Sequence, residues 1–149
     1  MNEIERHQAS LKSLVVVQAA SVALALIALY TFPIPEEVTA ALTVMDEINP
    51  PKFGFWAFMN GLLILATIGL WGWSLWELYH LNQEGFIKFV WSTVLGFVCT
   101  FTNGGEWTSP MQDAFLWIGL MSSGAILYMG FFFSNVFNEG EDTKTPTTM

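Results

Sequence analysis

Residues 53–101 constrain this chain more than any other stretch, because two long apolar runs meet there around the short turn Asn82-Gln83-Glu84-Gly85. A membrane-spanning helix needs about 20 mainly apolar residues. The run before the turn exceeds that length, and the run after it is just long enough. So short a turn permits only an antiparallel helical hairpin. Next to the turn sit the ionisable residues within reach of the membrane interior, Glu77, His80 and Lys88.

Composition says what solvent suits such a hairpin. The chain has 149 residues, 53% of them hydrophobic and 12% charged, whereas soluble domains carry about 25% charged residues. One core of this size cannot hide so much apolar surface, and a bilayer can. The formal net charge is −8, from 13 acidic and 5 basic residues. That balance lacks the basic footprint of a nucleic-acid binder. The single cysteine, Cys99, lies inside an apolar run. It allows no intrachain disulfide and no cysteine-based metal site.

Four spans are expected: residues 14–32, 53–81, 86–101 and 111–137. The first run is too long for a signal-peptide core of roughly 7–15 residues, so it reads as a span, with Tyr30 as an interfacial anchor. Pro33 and Pro35 end it. Residues 35–49 are not a span. There Val38, Ala41, Leu42, Met45 and Ile48 share one helical face, and Glu36, Glu37, Asp46 and Glu47 face away. This predicts a short amphipathic helix between spans 1 and 2. Asn49-Pro50-Pro51 and residues 102–112 form turns, and Ser109-Pro110 marks a helix start. Residues 1–13 read as a polar N-terminal segment, 14–137 as one transmembrane domain and 138–149 as a polar tail. The fold class expected is all-α: a four-helix antiparallel bundle in a membrane, since lipid-exposed backbone must satisfy itself.

The basic residues orient the bundle. Arg6, Lys12, Lys88 and Lys144 fall on one side of four spans, and Lys52 falls on the other. The positive-inside rule places both termini and the 82–85 turn in the cytoplasm of a cell-membrane protein. The outer loops are acidic.

Each span carries a stripe of small or weakly polar residues. The stripes are Gln18, Ser21, Ala25 and Ala28; Asn60, Thr67 and Ser74; Ser92, Gly96 and Cys99; and Gly119, Ser123, Gly130 and Ser134. Helices in lipid associate over such residues through close packing and modest hydrogen bonds. The expected packing positions are Ser21, Ala25, Asn60, Thr67, Ser74, Gly96, Gly119, Ser123 and Gly130. The sharper alternative is a polar path through the bundle, but no span has a charge near its middle, where conducting proteins usually carry one.

Chemistry concentrates at the cytoplasmic end of the hairpin. Trp73, Trp76, Glu77 and His80 fall at i, i+3, i+4 and i+7, on one helix face. Lys88 lies about as far beyond the turn as Glu77 lies before it, so the two can meet across the hairpin. One reading is an aromatic belt with an interfacial ion pair, Glu77 pairing with Lys88 or His80. The other is an inner-leaflet ligand site for a lipid headgroup or quinone, built from Trp73, Trp76, Glu77, His80, Lys88 and Trp91. Glu77-x-x-His80 is a single copy of a spacing that di-iron bundles use twice, so no metal or other cofactor is expected. No nucleophile, phosphate-loop or metalloprotease pattern is present.

The function expected is non-catalytic: a small multi-pass membrane protein acting as a subunit of a larger assembly, or as a homo-oligomer. Its partners would be the bilayer and another membrane protein or a second copy, with no nucleic acid. Two alternatives stay open, a small oligomeric pore or transporter and a lipid- or quinone-binding redox component.

Overall fold

The structure is a computed structural model and describes residues 2–32, 35–48, 54–103 and 109–137. Every regular element among them is helical: α1 (Glu3–Thr31), α2 (Glu36–Ile48), α3 (Phe55–Tyr79), α4 (Gln83–Asn103), α5 (Pro110–Phe132) and a closing 3-10 turn, η1 (Ser134–Phe137). The Asn49-Pro50-Pro51 break, the loop at 104–108 and the tail 138–149 lie outside the described residues.

Three of these helices, α1, α3 and α5, are long and apolar enough to cross a membrane by length and composition. The helix α4, expected as the third span, is not among them. Its 21 residues would reach about 31 Å at 1.5 Å per residue. Glu84, Lys88, Ser92, Thr93 and Thr100 stand among its apolar residues.

The polar start of the chain is helical. Asn2 Oδ1 accepts from Glu5 N at 2.7 Å, and Glu5 Oε2 accepts from Asn2 N at 2.8 Å. This reciprocal capping box starts α1 at Glu3, and the helix runs 29 residues, about 43 Å. It outlasts a hydrocarbon core of about 30 Å, so its first turns carry Arg6 and Lys12 on a continuous rigid rod. The other end behaves similarly. The helix α5 is capped by the Ser109 side chain with Pro110 in its first turn. It stops at Phe132, and residues expected in the span form η1 instead.

The long helices pack as two antiparallel pairs. In one pair, Gln8 Nε2 donates to Val136 O at 3.1 Å, and Ser122 Oγ donates to Gln18 Oε1. Ser21 meets Gly119, where an added Cβ would lie 3.0 Å from Ser21 Oγ. These contacts join α1 to α5 in opposite senses. In the other pair, Glu77 meets Lys88 and Thr67 Oγ1 lies 3.6 Å from Cys99 Sγ, joining α3 to α4. The pairs meet through lesser contacts of α1 with α3 and α4 with α5. A core of Leu11, Val15, Leu75, Leu78, Phe86, Phe89, Ile126 and Val136 fuses them. Every member comes from the end where the hairpin turn, the first half of α1 and the α5–η1 junction converge.

The α2 helix forms over the expected residues and, among the described residues, shares no extended contact with the other helices. Glu36, Glu37 and Glu47 are exposed, and Val38 is half-buried. The side chains of Met45, Asp46 and Ile48 lie outside the described residues.

The small-residue stripes are placed unevenly. Ser21, Ala25, Ser74, Gly119 and Gly130 are buried, while Asn60 and Thr67 are half-buried. Gly96 does not pack: a Cβ there would meet nothing within 4 Å. On α5 the buried series is Gly119, Ser122, Ile126 and Gly130. Ser122 faces α1, and Ser123 instead lines the space between the pairs.

Candidate functional site

The polar end of the hairpin is built by its turn. His80 ends α3, and Leu81 takes a left-handed conformation with φ 60°. Leu81 N donates to Leu78 O at 2.9 Å, and Asn82 N donates to Glu77 O at 3.0 Å. This is a Schellman ending, which usually carries glycine at the left-handed residue. Asn82 Oδ1 then accepts from Glu84 N at 3.0 Å and caps α4. The turn is therefore residues 80–82, and Gln83-Glu84-Gly85 belong to the first turn of α4 rather than to the loop. Gly85 has its own task. A Cβ there would lie 2.6 Å from Glu77 Cβ and 2.8 Å from Leu78 N. Only glycine lets α4 begin this close to the α3 backbone.

That approach closes a charge cluster. Lys88 Nζ donates to Glu77 Oε1 at 2.6 Å and to Oε2 at 2.7 Å. Glu84 Oε2 stands 3.6 Å from the same nitrogen. Trp73 Nε1 donates to Glu77 Oε1 at 2.6 Å. The ammonium also sits 4.6 Å from the Trp73 ring centroid, within cation–π range. Glu77 thus has three donated hydrogen bonds, and Lys88 two carboxylates and a ring face. Neither has an obvious site left for a ligand.

The expected set does not converge as a whole. Trp73 and Glu77 turn toward α4. His80 instead places Nδ1 2.8 Å from Trp76 O, and its ring lies 4.6 Å from Trp76 and 5.7 Å from Tyr79. Because a carbonyl only accepts, Nδ1 carries the proton in the neutral ring. Trp91 is exposed on α4. One stripe in sequence therefore divides into two groups, since i, i+3 and i+4 neighbours fan across an arc wide enough to meet different helices. His7 stands apart from His80, its ring 4.5 Å from Phe133.

Two residues outside the expected set join the second group. Tyr79 stacks edge-on to His80, and Lys12 Nζ lies 5.8 Å from the Tyr79 ring. The signal for Lys12 was the Asn2-x-x-Glu5 capping box, which extends α1 and carries Lys12 to the level of the α3 terminus.

A cleft of about 450 Å³ lies between the helix pairs, with Val22, Thr67, Ser92 and Ser123 lining it from all four long helices. Four of the hydroxyls that line it are engaged by their own helices: Thr67 donates to Leu63 O at 2.8 Å, Ser92 and Thr93 to Phe89 O at 2.8 and 2.9 Å, and Thr100 to Gly96 O at 3.0 Å. The remaining wall is largely apolar.

The closed cluster makes a direct prediction. Glu77→Gln keeps an oxygen that accepts from Trp73 and Lys88, whereas Glu77→Leu removes every acceptor. Melting in detergent should rank wild type at or above Gln, and Gln clearly above Leu. Equal melting of the two variants would remove the structural role. No family model, curated protein or solved structure matches this chain.

Proposed function

We propose that this chain is a four-span membrane protein that acts by contact, as a small subunit of a larger membrane assembly or as a homo-oligomer. The observation that carries the reading is inverted polarity. Gln8, Gln18, Ser21, Ser74, Ser92 and Ser122 are buried, while Ile27, Phe58, Leu65, Trp117, Met121 and Phe131 are all more than half exposed. Water would penalise that surface, because soluble monomers rarely expose large apolar patches. Lipid accepts it, and interhelical hydrogen bonds such as Gln18–Ser122 are worth roughly 0.6 kcal/mol on average there.

Two features support α4 as the fourth span. It runs antiparallel to α3 from Lys88 to Cys99, so it follows α3 into the bilayer. Ile87, Trp91, Val94, Phe97 and Val98 also form an exposed apolar stripe along it. Contact rather than catalysis is supported by how the titratable groups are used, since Glu77 and Lys88 saturate each other. The cleft between the pairs favours the pore reading as runner-up, while its internally bonded hydroxyls weigh against a water path in a single copy.

Purification in mild detergent tests assembly: a stoichiometric co-eluting protein or a discrete multiple of the chain is expected, and a lone monomer overturns it. Conductance in liposomes would favour the pore. For topology, Cys99→Ser supplies a cysteine-free background. Glu106→Cys should react with an impermeant maleimide in intact cells, and Glu84→Cys should not. The opposite pattern overturns the orientation.

A further inference from the structure

The groove between α1 and α3 has a polar mouth and an apolar floor. At the mouth, a cleft of about 380 Å³ is lined by Lys12, Ser13, Val16, Val17 and Tyr79. It shares Val16 and Tyr79 with a second cleft of about 340 Å³, lined by Ala19, Trp71, Gly72, Leu75 and Trp76 among others. Ala19 lies seven residues beyond Lys12, about 10 Å deeper along the helix axis. The floor stays open because its middle is built from small residues, and a Cβ on Gly72 would meet nothing within 4 Å.

Charge distinguishes this mouth from the hairpin cluster. Lys88 is neutralised by Glu77 and Glu84. Among the described residues no carboxylate stands within ion-pair distance of Lys12, whose ammonium has the Tyr79 ring beside it. Tyr79 and His80 are both exposed at this level. Their phenol and Nε2–H (in the protonated ring) are donors suited to phosphate oxygens. On a chain of net charge −8, a cation without its own counterion at an aromatic rim is a local exception to the surrounding field.

A soluble anion would use the mouth and leave the floor empty. A neutral acyl chain would use the floor and leave Lys12 unpaired. An amphiphile with an anionic head uses both. We propose that the α1/α3 groove binds an anionic phospholipid, its phosphate at Lys12 and Tyr79 and one acyl chain laid over Ala19 and Gly72. The proposal rests on the reading of the chain as membrane-embedded. Of the lipid site expected at Trp73, Trp76, Glu77, His80, Lys88 and Trp91, it keeps Trp76 and His80 and leaves the Glu77–Lys88 pair on the other face of α3.

Native mass spectrometry of protein released from nanodiscs of equal phosphatidylglycerol and phosphatidylcholine tests it. Wild type should retain one phosphatidylglycerol in preference to phosphatidylcholine. A basic residue near a membrane surface contributes about a fivefold gain in anionic-lipid binding, so Lys12→Ala should lose about that much. Arg6→Ala, nearer the N-terminus, should lose less. Gly72→Leu should abolish retention with melting unchanged, because it fills the floor without touching the core. Glycerol phosphate alone should not bind. Equal retention of the two lipids, equal effects of Arg6→Ala and Lys12→Ala, or full retention by Gly72→Leu would each overturn the site. Failure of wild type to enter nanodiscs would instead overturn the membrane reading beneath it.

Discussion

Gly85→Val should separate the two helices of the α3–α4 hairpin at their closed end. The atoms facing Gly85 are Glu77 Cβ and the backbone of Leu78. Ordinary carbon contacts lie at about 3.5–4.0 Å, so the 2.6 Å to Glu77 Cβ requires the helices to part by about 1 Å even for alanine. Backbone cannot swing aside as a side-chain tip can. The strain should sit at or above the upper end of the roughly 1–3 kcal/mol typical of overpacking. It acts on three things at once: the Schellman ending at Leu81, the Lys88–Glu77 pair and the burial of Phe86 and Phe89. Gly69→Val is the matched comparison, since a Cβ there meets nothing within 4 Å. A marked drop in melting temperature is expected for Gly85→Val and little change for Gly69→Val. A register reporter is built in. Thr67 lies against Cys99, so a Thr67→Cys chain should oxidise to an internal disulfide. Adding Gly85→Val should slow that oxidation. Unchanged melting and unchanged oxidation would mean that the hairpin is not closed at Gly85.

How much of this was legible in the sequence depended on which physical rule applied. The helical class followed from apolar runs of spanning length. The amphipathic α2 followed from its periodicity. The Glu77–Lys88 contact followed from their both lying within two helical turns of the hairpin turn, one on each side. Helix ends were harder. Asn82 and Gly85 point to a turn at 82–85, because Asn and Gly are ordinary turn residues. The structure instead uses Leu81 as the left-handed residue, a role its side chain does not advertise, and keeps Gly85 for close approach. The start of α1 is readable from Asn2-x-x-Glu5, whereas the polarity of residues 1–13 sets them apart from the apolar span without telling whether they are helical. Facing was the least legible. Ser122 and Ser123 are adjacent, about 100° apart on a helix of 3.6 residues per turn, and both fit a small-residue stripe. Only the partner chosen by Gln18 decides between them. The Trp73–His80 face divided for the same reason, since spacing within a helix does not tell which neighbours stand on either side.

Gly130→Leu should loosen the junction between the helix pairs. Any Cβ at position 130 would overlap the Phe86 ring, and that ring is the main bridge from α4 to α5. The ring has little room to retreat. It is buried at 8% exposure, edge-on to Phe131 at 5.1 Å and tilted against Phe137 at 6.0 Å. A leucine therefore displaces either the ring or the end of α5. Displacing α5 also pulls on η1, where Val136 is buried and its carbonyl accepts from Gln8. The expected loss is about 1–3 kcal/mol, read as melting in detergent. Gly124→Leu on the same helix should be nearly neutral, because nothing lies within 4 Å of its added Cβ. Ser123→Leu should also be mild, since Ser123 lines the cleft rather than the α1 contact. The decisive measurement is a double-mutant cycle. Phe86→Leu alone creates a void beside Gly130, and Gly130→Ala alone collides with the ring. Together each relieves the other, so the pair should be more stable than the sum of the single losses by roughly 0.5–3 kcal/mol, the range for residues in contact. Strict additivity would show that Phe86 and Gly130 do not touch. Equal behaviour of Gly130→Leu and Gly124→Leu would place both on the outer surface of α5, and the junction between the pairs would have to lie elsewhere.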